Sequence, residues 1–328
     1  MRSGAVWQTV DPIGGHYRTI EHRRRRRRRL GRRAYIRSVH VLPSLATLGN
    51  AICGFGAIYV SAFAMNDAGS DPWAQWFAKH SFLAAAYLIL LAMVFDALDG
   101  RLARFARHTT DFGGQLDSLA DAVSFGAAPA FLALQVFKVD GPMTALPLSR
   151  LVWAIGAIYF ACALIRLARF NVSNEHGEQA HMSFLGLPSP GAAGAVVGLV
   201  LMQQDLKKLA EASNSSVLWG LSYVGVALIP VVVLGTGLLM VSHVRYAHIV
   251  NRYLRGKRSI ARLMMMLALL LSLVIYPVYT LGLGMLAFAI GTPLWILLSR
   301  TGHAATLSAG AGPRPKSSGP LPDAATGE

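Results

Sequence analysis

The residues of this chain best suited to chemistry are four carboxylates set in apolar sequence. Asp96, Asp99, Asp117 and Asp121 all fall within residues 96–121, which read DALDGRLARFARHTTDFGGQLDSLAD. Asp96 and Asp99 are three apart and Asp117 and Asp121 are four apart, so on helices each pair projects from one face. A polar break at residues 107–111, with Asp111 placed in the turn, predicts two antiparallel helices joined tightly. All four acids then meet near one membrane surface. Carboxylates crowded in this way repel one another unless cations bind between them, and an all-oxygen donor set selects hard ions: Mg²⁺, Mn²⁺ or Ca²⁺.

The elements that must position these acids are membrane helices. Of 328 residues 54% are hydrophobic and only 14% charged, and the mean hydropathy is positive, the makeup of an all-α polytopic membrane protein rather than a soluble enzyme. A bilayer takes about 20 apolar residues to cross. Runs of that kind lie near 44–65, 81–105, 113–137, 149–170, 187–204, 217–241, 260–278 and 280–299, which predicts eight spans. The last two are divided by a short apolar break at 277–284, read as a helical hairpin, with one long bent segment as the competing reading.

Charge orients the spans. The net charge is +15, and much of it lies in the arginine tract at residues 23–29 with Arg32, Arg33 and Arg37 beyond it. Beside a first span this tract anchors that end in the cytoplasm and meets anionic headgroups; it does not call for nucleic acid. Residues 243–262 carry Arg245, Arg252, Arg255, Lys257, Arg258 and Arg262, whereas residues 66–79 carry more acid than base. Both termini and the acid cluster are therefore predicted on the cytoplasmic side. Residues 1–37 read as a disordered basic arm, 38–243 as a six-helix catalytic unit, 244–301 as a basic loop with two additional spans, and 302–328 as a disordered tail. No apolar core with a small-residue cleavage site precedes the arginines, so insertion is expected through the spans themselves. Cys53 and Cys162 both sit in apolar runs, which points to packing rather than to a disulfide or thiolate metal site.

With its spacers, the acidic stretch places Asp96, Asp99-Gly100, Ala103-Arg104, Gly113, Asp117 and Asp121 in a pattern that resembles the complete signature of the CDP-alcohol phosphatidyltransferase family. The resemblance implies a six-helix membrane core, a homodimer, and transfer of a phosphatidyl group from a CDP-linked lipid to an alcohol with release of CMP. It implies two divalent ions held by Asp96, Asp99 and Asp117, with Asp121 a ligand that is also the general base. Gly100, Ala103 and Gly113 would leave room for nucleotide or phosphate, although small residues at a helix crossing look the same. Arg104 would hold a phosphate or pair with a carboxylate, with a snorkelling anchor as the alternative. Thr47 and Asn50, one turn apart in the first span, resemble part of a family pattern that borders the nucleotide site, in which Ser44 replaces a common Asn.

Three further runs resemble the phosphatidylserine synthase branch of that family: residues 117–129, Leu167-Ala168-Arg169-Phe170-Asn171, and Gly186-Leu187-Pro188-Ser189-Pro190. They imply CDP-diacylglycerol and L-serine as substrates in a cell (inner) membrane. Arg169 and Arg166 are the candidate partners of the serine carboxylate, since a guanidinium can hold a carboxylate by two bonds; positive-inside anchoring is the other reading of both. His176, His181, Glu175 and Glu178 read as a solvated loop. Two alternatives remain: another acceptor (inositol phosphate, glycerol phosphate or choline), and, from a different class, a cation-coupled transporter, which would hold its acids near mid-bilayer.

Overall fold

In the computed structural model the described residues are 44–64, 71–106, 111–141, 146–175, 186–244 and 260–309. The predicted arm at 1–37, most of the basic loop and the tail beyond 309 lie outside them. Among the described residues the secondary structure is helical throughout. In chain order these are α1 (Ser44–Phe63), α2 (Pro72–Ala106), α3 (Asp111–Asp121), a π-helical segment (Ala122–Ala127), α4 (Ala128–Asp140), α5 (Leu146–Glu175), α6 (Ser189–Ser213), α7 (Ser216–Val241), α8 (Ile260–Ile275) and α9 (Pro277–Ala309). Asp111, expected in a turn, opens α3 instead. The loop expected at 66–79 is cut short, because α2 starts at Pro72, whose fixed φ suits a first helical turn.

All eight predicted runs are helical, and six helices are long and apolar enough to cross a bilayer: α1, α2, the continuous α3 to α4, α5, α7 and the first part of α9. This is a multi-pass membrane protein. The two exceptions have physical causes. α8 is short in its described apolar part, Met264–Ile275. α6 is rich in Gly and Ala and ends in Gln203, Gln204, Asp205, Lys207 and Lys208, which lowers its apolarity, yet residues 191–201 are almost wholly buried because α2, α4, α7 and α9 surround it.

α2 sets the depth of the acids. Its 35 residues extend about 52 Å, more than the roughly 30 Å of hydrocarbon. Trp73 and Trp76 are 80% and 58% exposed at its start, as interfacial tryptophans are, and Lys79 pairs with Glu211 of α6 at 3.3 Å at the same end. From Trp73 to Asp96 is about 35 Å along the helix. The acids therefore lie at the opposite membrane surface.

The Trp73 end is tied by a buried polar clasp. Asp140, at the end of α4, accepts from Lys207 Nζ (2.7 Å) and Gln204 Nε2 (2.7 Å), while Gln203 Nε2 reaches Ser222 Oγ on α7 (3.3 Å). These bonds tie α6 to α4 and α7, and a satisfied polar network of this kind favours one packing.

α8 and α9 meet at a corner rather than a loop. Pro277 lacks an N–H and crowds the preceding turn. Helical bonding runs up to and away from Tyr276, with Tyr276 N to Ser272 O at 2.8 Å and Thr280 N to Tyr276 O at 3.0 Å. Ser272 Oγ and Thr280 Oγ1 are 2.7 Å apart, far closer than the roughly 12 Å that separates such residues on a straight helix. α9 then runs antiparallel to α6 and continues to Ala309, past the end expected near 299. Phe288 lies over Gly191, Met285 over Gly194 and Gly282 over Gly198. A Cβ on Gly198 would come within 2.6 Å of the Gly282 Cα, so the two backbones touch. Gly198→Leu should therefore force α9 off α6 and lower stability by about 1 to 3 kcal/mol. The thermal midpoint of the detergent-solubilised protein is the check, and an unchanged midpoint would mean the crossing is not tight.

Candidate active site

Asp96 and Asp99 lie near the end of α2 and Asp117 and Asp121 on α3, so the antiparallel pairing expected from the sequence brings them to one end of the bundle. Carboxylate oxygens of Asp96, Asp99 and Asp117 all lie within 4.8 Å of one another. Asp99 is buried, and Asp96 and Asp117 are half-buried. Asp121, also buried, stands outside that trio.

α1 secures one acid from each of the other two helices. Thr47 Oγ1 donates to Asp99 Oδ2 at 3.0 Å, and Asn50 Nδ2 donates to Asp121 Oδ1 at 3.0 Å. Thr47 and Asn50 are themselves buried. These bonds give both residues a role beside the acids, in addition to the nucleotide border that the family pattern implies. Hydrogen bonds of this kind, to charged acceptors, are each worth about 1.5 to 3 kcal/mol.

Directly after Asp121 the helix widens into its π segment, a feature with no warning in the apolar periodicity. π turns recur at functional sites because the extra residue re-aims side chains and loosens the carbonyl ladder. Here Phe125 O accepts from the buried Tyr159 hydroxyl of α5 at 3.0 Å, and Ser124 Oγ donates to Asn50 O of α1 at 2.8 Å. A second tie follows α5 to its end, where Ser118 Oγ meets Asn171 Oδ1 at 3.0 Å. Ser118, Ser124 and Asn171 were singled out individually by nothing in the sequence except their place in the three matching runs.

Arg166 and Arg169 are half-buried on α5. Arg166 Nε donates to Leu187 O at 2.7 Å and Nη1 to Ser189 Oγ at 3.3 Å, and Asp121 is within its electrostatic range. The turn it grips is built on Gly186, at φ +86, where a side chain would strike the Met240 carbonyl. Gly186 N donates to Val244 O (2.9 Å) and Leu187 N to Leu239 O (3.0 Å), which fixes the turn to the end of α7. Gly100 is exposed, and no atom of the described residues comes within 4 Å of where a Cβ would stand. Gly113 is half-buried on the first turns of α3. Ala103 and Arg104 lie on the last turns of α2, and their side chains are outside the described residues.

The donor set fits a divalent cation. Three carboxylates converge, all donors are oxygen, and Asp117 Oδ1 is buried with no hydrogen-bond partner among the described residues. A buried anionic oxygen left without a donor is costly, and a hard cation removes that cost.

The family model described as CDP-alcohol phosphatidyltransferase matches residues 40–231, more than half of the chain and the whole of this site. The chain belongs to the CDP-alcohol phosphatidyltransferase family. Relatives named CDP-diacylglycerol--serine O-phosphatidyltransferase are similar to it. The one from Helicobacter pylori (strain ATCC 700392 / 26695) is 30% identical over 211 residues, 64% of this chain and 73% of the relative. The one from Mycobacterium bovis is 32% identical over 208 residues, 62% of this chain and 60% of the relative. That from Methanocaldococcus jannaschii is 33% identical over 163 residues, 50% of this chain and 62% of the relative. In this member of the family α8 and α9 lie beyond the matched residues.

Asp99→Asn and Asp117→Asn should each weaken Mn²⁺ binding by more than about tenfold. Titration of the purified protein followed by electron paramagnetic resonance measures this directly. Unchanged affinity in both variants would remove the trio as a cation cage.

Proposed function

We propose that this protein transfers the phosphatidyl group of CDP-diacylglycerol to the hydroxyl of L-serine, giving phosphatidylserine and CMP. The observation that carries the reading is the acid trio with Asp121 beside it, at one membrane surface, in a chain similar to enzymes that bear this activity in their names.

Asp96, Asp99 and Asp117, with Asp121 as a further ligand, would hold two divalent ions, of which the all-oxygen donor set admits Mg²⁺, Mn²⁺ and Ca²⁺. When bound, the ions supply charge neutralisation of the pyrophosphate and of the departing phosphate. Asp121 takes the proton of the serine hydroxyl, whose oxygen forms a bond to the phosphatidyl phosphorus as the bond from that phosphorus to the CMP oxygen breaks. The open face at Gly100, with Ala103, Arg104 and Gly113, receives the CDP moiety, and Thr47 and Asn50 border it. Arg169, with Arg166 behind it, meets the serine carboxylate, which glycerol phosphate, inositol phosphate or choline would not present.

The active site and both termini face the cytoplasm across a cell membrane, the inner one where there are two. The protein works as a homodimer, and its catalytic unit is residues 38–243. The basic composition of the 243–262 segment supports this orientation. The position of the acids at a surface, rather than at mid-bilayer, favours an enzyme over a transporter.

The purified protein supplied with CDP-diacylglycerol and Mn²⁺ should release CMP with serine and not with the other alcohols. Release with another alcohol alone would overturn the acceptor and keep the reaction class. Arg169→Ala should raise the KM for serine by about 10- to 100-fold, the range of a lost charge-assisted bond, with the KM for CDP-diacylglycerol unchanged. An unchanged KM for serine would remove Arg169 from the acceptor site.

A further inference from the structure

Asn50 is wholly buried, and its neighbours account for more than a border to the nucleotide. An ionised carboxylate only accepts hydrogen bonds, so beside Asp121 the Asn50 amide must present its nitrogen. Its other end, Oδ1, is then buried with no partner among the described residues. Such an orphan carbonyl is tolerated only where something else is gained.

The backbone of Asn50 is fixed as firmly as its side chain. Its carbonyl accepts from Ser124 Oγ, on the π segment three residues past Asp121. One turn further along α1, Gly54 faces Ser124 so closely that a Cβ there would overlap the Ser124 hydroxyl and lie 2.6 Å from its Cα. Gly54 thus lets Ser124 reach Asn50 O, and the Ser124 bond sets the height at which the Asn50 amide meets Asp121. The two bonds join the same pair of segments a turn apart and form a clamp.

We infer that Asn50, Ser124 and Gly54 form a positioning device for Asp121, holding its Oδ1 so that Oδ2 is the oxygen presented to the acceptor hydroxyl. This rests on the transfer reading above and deepens it. Thr47 does not belong to the device: it bonds Asp99, a member of the trio, so α1 supports the cation cage through one residue and the base through another. Ser124 is fully buried and bonded to α1, so its substitution acts through the clamp and not through direct contact with the nucleotide.

The test is a split between turnover and binding in Asn50→Ala and Ser124→Ala, using the full-length protein, Mn²⁺, CDP-diacylglycerol and serine. Misplacing a reacting group by about an ångström costs on the order of 100-fold in rate. Asn50→Ala should therefore lose about that much in kcat, and Ser124→Ala a smaller part of it. In Ser124→Ala, which touches neither the nucleotide nor the acid trio, the KM for CDP-diacylglycerol and the Mn²⁺ affinity should stay within about threefold of the unaltered protein, a pattern that loss of fold would not give. A tenfold rise in the KM for CDP-diacylglycerol with kcat kept would make Asn50 a nucleotide contact and overturn the device, and so would undiminished kcat in Ser124→Ala. Failure of the unaltered protein to release CMP with any alcohol would overturn the transfer reading instead. In that case a tenfold loss of Mn²⁺ or CDP-diacylglycerol affinity in Ser124→Ala would still overturn the positioning role.

Discussion

Mutual repulsion of carboxylates governs this structure. Three of them lie within 4.8 Å, where each pair of charges repels by about 3.5 kcal/mol at an effective dielectric constant of 20. Three such pairs come to roughly the whole stability of an ordinary domain. The Thr47 bond to Asp99 offsets only part of this. Other helices hold the acid-bearing pair together at this end, and the all-oxygen trio is a place where a divalent cation would reverse the sign of the interaction.

The opposite end is arranged on the contrary rule. There Asp140, whose side chain is 6% exposed, is met by Lys207 and by the Gln204 amide, so its charge is balanced within the protein. α6 connects the two ends. Its last turns carry the polar clasp, its middle is pressed on by α9 along Gly191, Gly194 and Gly198, and its first residue, Ser189, receives Arg166. A helix beyond the family-matched residues thus braces the element whose first residue meets Arg166, the guanidinium within electrostatic range of Asp121. The rigid end and the reactive end are joined by one buried rod.

Much of this was legible in the sequence because it depends on spacing along single helices. The acids at three- and four-residue intervals, the polar pair Thr47 and Asn50, and the apolar runs all declare themselves by period. What was not legible depends on one helix meeting another. The π segment has the same apolar composition as its surroundings, so nothing marks where the ladder widens. Thr47 and Asn50 read as polar residues near a nucleotide, but their bonds to Asp99 and Asp121 follow from the height at which α1 crosses α2 and α3. Arg169 stood apart from Arg166 by its place in the matching run at 167–171, but the grip of Arg166 on the turn at Leu187 and Ser189 depends on a second helix and had no sign in the sequence. The apolar division of the last helices was placed slightly late because Pro277, rather than the glycines after it, makes the corner.

Anomalous X-ray scattering from crystals grown with Mn²⁺ and CDP-diacylglycerol tests the central claim most directly, since it locates the ions without reference to activity. Anomalous peaks are expected between the carboxylates of Asp96, Asp99 and Asp117, in contact with the pyrophosphate and adjacent to Asp121. Peaks elsewhere, or a pyrophosphate bound away from those carboxylates with no ion among them, would contradict it.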